Sequence, residues 1–174
     1  MGLKTSHEVN LMVTVVLLAG GKSRRMGQDK AKMRGGVERL HSLAIQCGVE
    51  RIITLCGDAS RQSLFEGETW PDPPSCTSLS EVLEWAFEKI GGAIQLVSCD
   101  SFQLEREGLA FLLASGGGVP LDEKGVRQPL LAHCPSEWEL NSSEGRVSSL
   151  FSDFHSLELG ELAIQMNNFN TPSD

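Results

Sequence analysis

The chain has 174 residues, with 15 Lys and Arg against 23 Asp and Glu and a formal net charge of −8. That length supports one full hydrophobic core and leaves little for a second, and the acidic balance repels a polyanionic duplex, so nucleic acid is excluded as the expected partner. Five cysteines (Cys47, Cys56, Cys76, Cys99 and Cys134) form no C-x-x-C pair and are odd in number; that pattern fits a reduced cytoplasm better than a disulfide framework. No apolar run approaches the roughly 20 residues that cross a bilayer, and Met1 to Asn10 lacks the apolar stretch of a secretion signal. No membrane is expected, and residues 1–12 read as a disordered leader.

In chain order, Val15 to Leu18 is an apolar run that fits a strand covered on both faces, as in a parallel sheet between helices. It feeds directly into Ala19-Gly20-Gly21-Lys22-Ser23-Arg24-Arg25-Met26-Gly27-Gln28-Asp29-Lys30. The paired glycines allow backbone N–H groups to approach phosphates, and Lys22, Arg24, Arg25 and Lys30 bring positive charge, so the segment reads as a phosphate cradle. It is not a P-loop, because Val16 stands where that motif needs its first glycine. Nor is it the dinucleotide fingerprint, since Gly20-Gly21-Lys22-Ser23 does not open a Gly-x-Gly-x-x-Gly pattern.

Val37 to Cys47 is helical by spacing, with Leu40, Leu43, Ala44 and Cys47 on one face, and Arg51 to Cys56 reads as a second buried strand. Ser80 to Ile90 repeats the helical pattern with Ser80 as N-cap, and Ala93 to Ser98 is the next strand. Leu104 to Ala114 is a further helix ended by three glycines. Val119–Leu121 and Gln128–His133 are expected as strands joined by a turn at Asp122-Glu123-Lys124-Gly125, and Leu162 to Met166 as a short terminal strand. Strands alternating with helices predict an α/β fold, three-layer α/β/α with a mostly parallel Rossmann-like sheet and ligands outside the strand carboxyl ends.

Leu18-Ala19-Gly20-Gly21-Lys22-Ser23-Arg24-Arg25-Met26-Gly27-Gln28-Asp29-Lys30 resembles the opening signature of nucleotidyltransferases with the nucleotide-diphosphate-sugar transferase fold. Gly20 and Asp29 make it most similar to the molybdenum cofactor guanylyltransferase family, the molybdopterin-guanine dinucleotide biosynthesis protein A-like proteins; cytidylyltransferase relatives carry Ala-Ala-Gly and lack the Asp. The likeness runs from Val13 to Asp174, which implies a single nucleotidyltransferase domain over 13–174. It implies Mg²⁺ as cofactor, GTP and molybdopterin cofactor as substrates, and proteins that deliver or receive that cofactor as partners. Leu18, Ala19, Gly20, Gly21 and Lys22 would bind the nucleotide, and Arg25 and Lys30 would offset phosphate charge. Cys99-Asp100-Ser101-Phe102 resembles the family's metal motif, which makes Asp100 the expected metal ligand. Asp72 falls where the family has an acid near the guanine nucleotide. Asn168-Phe169-Asn170-Thr171-Pro172 resembles the family's ending, with Asn168 and Asn170 toward the acceptor, and Gln128 is an expected acceptor contact.

Each of these readings has a plainer counterpart. Asp100 caps a following helix, Asp72 is a turn residue between prolines, and Thr171-Pro172 is a helix entry. His133 and Cys99 read as packing residues. The likeness thins in the middle: the Pro after Gly35-Gly36 is missing, the helix before Gly48 is shorter, and Leu55-Cys56-Gly57-Asp58 and Pro74 to Leu79 replace the segments expected around the base. Three classes therefore stay open: guanylyl transfer, transfer of another nucleotide such as CMP to a phosphorylated acceptor, and a binding module that has kept the loop and lost the reaction.

Overall fold

A computed structural model describes residues 13–20, 36–141 and 144–168. The predicted leader, Gly21, Lys22, Arg25, Lys30 and Asn170 lie outside the described residues. Strands β1 (Thr14–Leu18), β2 (Arg51–Gly57), β3 (Glu68–Pro71), β4 (Ile94–Ser98) and β6 (His133–Cys134) form one sheet in the order β3-β2-β1-β4-β6. All pairs are parallel except β4 with β6. A two-stranded parallel sheet joins β5 (Val119–Pro120) to β7 (Ser156–Leu157). The α/β fold expected from the strand and helix rhythm is the one found.

The alternation of β1 explains the layers. Val13, Val15, Leu17 and Ala19 face one side and pack with Leu40 and Ala44 of α1 (Gly36–Gln46) and Leu109 and Leu112 of α3 (Arg106–Ala114). Val16 and Leu18 face the other side, with Leu83 and Ala86 of α2 (Leu79–Ile90) and Leu150 of α4 (Val147–Leu150). A central parallel strand has no solvent face, so every side chain of β1 is buried, and each fully buried leucine contributes roughly 1.5–3 kcal/mol.

Four expectations are corrected. The N-cap of α2 is Ser78 and not Ser80: Ser78 Oγ accepts from the Glu81 N–H at 3.3 Å, while Glu81 accepts from Thr77. Ser78-x-x-Glu81 is a capping-box spacing that Ser80 lacks. Helix α3 starts at Arg106 rather than Leu104, because Ser98 to Leu104 is spent on successive turns. Residues 128–133 are not one strand; Pro129, which has no N–H to give a ladder, opens a 3₁₀ turn over Pro129–Leu131 and only His133–Cys134 pairs. Gly160–Met166 is a 3₁₀ helix and not a strand, entered through Gly160 at φ +56°.

Strand β6 is fastened by a buried polar pair. Gln95 on β4 is 0% exposed; its Nε2 donates to Leu131 O at 2.9 Å and its Oε1 accepts from His133 Nδ1 at 3.0 Å. His133 is therefore a packed residue, as the sequence suggested, and burial lowers its pKa from 6.5 to about 4. The unfolded chain binds the proton more readily, so the stabilisation from the neutral ring is present above pH 6.5 and is lost as pH falls toward 4. His133 is expected to make the protein about 2 kcal/mol less stable at pH 5 than at pH 7. Urea melts at the two pH values check this: His133→Asn should narrow the gap by that amount, and an unchanged gap would contradict the linkage.

Candidate active site

The sheet order β3-β2-β1-β4 steps outward in one direction from β1 to β3 and in the other from β1 to β4, and between these parallel strands that switch opens a crevice at their carboxyl ends. Two of the predicted elements leave the sheet there. Leu18 pairs with Ser98 and with Leu55 in register, the Cys99 N–H donates to Leu18 O at 3.1 Å, and the Ala19 N–H donates to Leu55 O at 2.9 Å. The stem of the phosphate loop and the turn carrying Asp100 are thus bound to each other by the backbone. Leu18 and Ala19 present only their main chain here, since both side chains are buried.

Proximity favours glycine at position 20. A Cβ at that position would sit 3.1 Å from Gly57 Cα and 3.2 Å from Gly57 N, so β1 and β2 approach as closely as glycine allows. Gly57, at φ +81°, turns β2 away and offers its carbonyl to the Asp72 N–H at 2.7 Å. Asp72 consequently lies at the end of β3, beside the same glycine that abuts Gly20. Burial raises its carboxyl pKa, and the nearby Asp58 carboxylate adds to that.

Asp100 follows β4 in a tight turn in which the Ser101 N–H donates to Ser98 O at 3.1 Å and the Phe102 N–H to Asp100 O at 2.9 Å. Ser98 Oγ donates to Asp100 Oδ1 at 2.5 Å, which aims the carboxylate. From α1, Arg39 braces the turn with Nη1 on Leu104 O at 2.6 Å and Nη2 on Ser101 O at 2.8 Å. The carboxylate opens into a cleft of about 450 Å³ whose lining includes Asp100, Asp122, Arg127, Gln128 and Asn168. Three residues expected from sequence (Asp100, Gln128 and Asn168) therefore share one cleft; Asp72 is not in its lining and connects to it through Gly57, Gly20 and the end of β1.

Several residues that shape the cleft carried little signal in the sequence. Asp122 Oδ1 accepts from Lys124 N and Val126 N, both at 2.9 Å, and its Oδ2 accepts from Gln128 Nε2 at 3.0 Å. The turn expected at 122–125 is real, and its aspartate also fixes Gln128. Arg127 donates to Phe151 O and Phe154 O, each at 2.9 Å, so it braces the wall and is not a free cation. Asn167 Nδ2 donates to Glu123 Oε1 at 2.9 Å, which ties Asn168 to the hairpin, while Gln165 Oε1 accepts from Glu105 N at 2.9 Å and Gly108 N at 3.0 Å at the start of α3. Only the Asp122 to Gly125 turn spacing pointed to any of these. Burial holds the Cys56 thiol above its usual pKa, none of the five cysteines is in a disulfide, and Cys99 is buried, in keeping with a packing role.

Residues 15–152 match the model of the MobA-like NTP transferase domain. The fold is similar to that of molybdopterin-guanine dinucleotide biosynthesis protein A from Archaeoglobus fulgidus, with a TM-score of 0.66, 18% identity and coverage of 92% of this chain and 93% of that one. It is also similar to a nucleotidyl transferase from Methanothermobacter, at a TM-score of 0.67, 16% identity and 94% of each chain. A protein from Mycobacterium tuberculosis solved in complex with manganese aligns at a TM-score of 0.53, 16% identity, 85% of this chain and 87% of that one. No curated protein matches the chain. Among the described residues no helix is long and apolar enough to cross a membrane.

Asp122→Ala removes the acceptor for two backbone N–H groups and frees Gln128, and is expected to cost about 1 kcal/mol in urea unfolding. Asp122→Asn keeps Oδ1 and should recover most of that loss; equal losses in both variants would mean that the turn does not depend on this oxygen.

Proposed function

The chain belongs to the MobA-like NTP transferase domain family and is a nucleotidyltransferase, and on that premise we propose that it is a Mg²⁺-dependent guanylyltransferase, joining GMP from GTP to the terminal phosphate of molybdopterin cofactor. In this reading residues 13–174 act as one domain in the cytoplasm. The observation that supports it is the Cys99 N–H to Leu18 O contact at 3.1 Å, which joins the end of β1 by its backbone to the turn carrying Asp100.

The acceptor phosphate oxygen attacks the α-phosphorus of GTP, a new P–O bond forms, and the bond between the α-phosphorus and its bridging oxygen breaks with its electrons leaving on pyrophosphate. The nucleophile is anionic at neutral pH, so positioning and charge neutralisation suffice and no general base is required. His133, buried against Gln95, is not asked to serve as one.

The donor set fits a hard divalent cation. Asp100 supplies carboxylate oxygen oriented by Ser98. That suits Mg²⁺, which takes one or two protein carboxylates and completes its shell with phosphate oxygens and water. Asp100 would hold the cation, which when bound offsets charge on the reacting phosphates. Backbone groups of Leu18, Ala19, Gly20 and Gly21 would cradle the nucleotide, with Lys22, Arg25 and Lys30 neutralising its phosphates. Asp72 would face the base, where a carboxylate accepts from the guanine N–H groups. Gln128, Asn168 and Asn170 would meet the pterin, whose edge both donates and accepts hydrogen bonds.

The test is pyrophosphate release with Mg²⁺, molybdopterin cofactor and each of GTP, CTP, ATP and UTP. Release is expected with GTP, only when the acceptor is present, and Asp100→Asn should lower kcat/KM by about 10²–10³. Release with CTP alone would replace guanylyl by cytidylyl transfer, and nucleotide binding without release under any combination would leave a binding module.

A further inference from the structure

A buried guanidinium lies against backbone carbonyls at the carboxyl ends of β1 and β2, and the mechanism above makes no use of it. Arg61, in the 3₁₀ helix Ala59–Leu64, is 7% exposed. Its Nη2 donates to Ala19 O at 2.7 Å and its Nε to Cys56 O at 2.9 Å. Those two carbonyls belong to the ends of different strands. Cys56 lies at a register shift between β2 and β3, where the extra residue is left out of the ladder, and Ala19 is the first residue past β1.

We propose that Arg61 is a positioning residue for the nucleotide: it fixes the Ala19 carbonyl and with it the backbone of Leu18 to Gly20. The inference rests on the nucleotide role given above to Leu18, Ala19 and Gly20. Ala19 is held at both of its backbone polar groups, in successive peptide planes, its N–H by Leu55 O and its C=O by Arg61. Gly20 lies close against Gly57, so the backbone through Gly20 is fixed by these contacts, and Arg61 contributes a side chain to them.

The residue type fits that task. Two acceptors on separate strands need a planar fork with fixed donor directions, which guanidinium provides and a lysine ammonium does not. The host helix is itself anchored: Asp58 Oδ1 accepts from Ser60 N at 2.8 Å, and Gln62 Nε2 donates to Thr69 O at 3.0 Å. The Phe65 ring lies 5.8 Å from the guanidinium carbon. A charge buried at this depth carries a large desolvation cost. Its position also adds a positive charge at the end of the sheet where the phosphates would sit.

The experiment compares wild type, Arg61→Lys and Arg61→Met by calorimetric titration with GTP and Mg²⁺, by steady-state KM for GTP and for the acceptor, and by thermal melting. Arg61→Lys, which keeps charge and loses the fork, is expected to weaken GTP binding about tenfold while the acceptor KM stays within about twofold. Arg61→Met should weaken it further. GTP affinity within twofold of wild type in Arg61→Lys, whatever the melting temperature, would show a structural role only and overturn the proposal. A parallel rise in both KM values would mean general loosening and overturn it too. If Arg61→Met does not fold, the lysine variant decides. Failure of wild type to bind any nucleotide would sink the nucleotide reading itself, an outcome separate from a difference between variants.

Discussion

The backbone pairing of β1 with β4 at the reversal of strand order is the constraint on which the site depends. Parallel strands end together, so whatever follows Leu18 and whatever follows Ser98 must emerge side by side. The hydrogen bond from Cys99 to Leu18 carries that alignment one residue past the ladder. The end of β1, from which the proposed phosphate loop departs, and the proposed metal carboxylate thereby emerge side by side although about 80 residues separate them. Neither element would specify this chemistry alone, because a basic glycine turn and an aspartate after a strand are both common.

Around that pairing, the site is held mainly by side chains that grip main-chain carbonyls and amides. Arg39 holds the turn after Asp100, Arg61 the ends of β1 and β2, and Arg127 the wall at Phe151 and Phe154. Irregular backbone beyond a strand leaves carbonyls without ladder partners, and an arginine fork satisfies two of them at once. The net charge of −8 hides this arrangement, since part of the positive charge is committed to the framework.

What could be read from the sequence follows period and motif. Strands β1, β2 and β4 were legible because continuous apolar runs mean burial on both faces, and the family was legible because its opening motif restricts residue type at many positions. The segment 128–133 was misread because its apolar residues look like a strand until Pro129 removes an N–H. Gly160–Met166 was misread because a short apolar run fits either a strand or a 3₁₀ turn. Gln95, Arg61 and Arg39 had no readable pattern: their partners are backbone groups 36, 42 and 65 positions away, fixed only once the sheet has assembled. Gln128 and Asn168 were placed by likeness alone; Asp122 holds the Gln128 side chain at the cleft, and Asn167 ties the chain beside Asn168 to Glu123.

The contact between Gly20 and Gly57 has an evolutionary corollary. Position 20 is where cytidylyl-type relatives carry alanine, and here the added methyl would meet the neighbouring main chain at about 3.1 Å. Drift at either site is therefore not free: enlarging the first demands that the bend at the second open by a few tenths of an ångström, carrying Asp72 with it through the hydrogen bond to the Gly57 carbonyl. Across homologues the two positions should change as a pair, and a lineage that trades one glycine inherits a different spacing between the ends of β1 and β3.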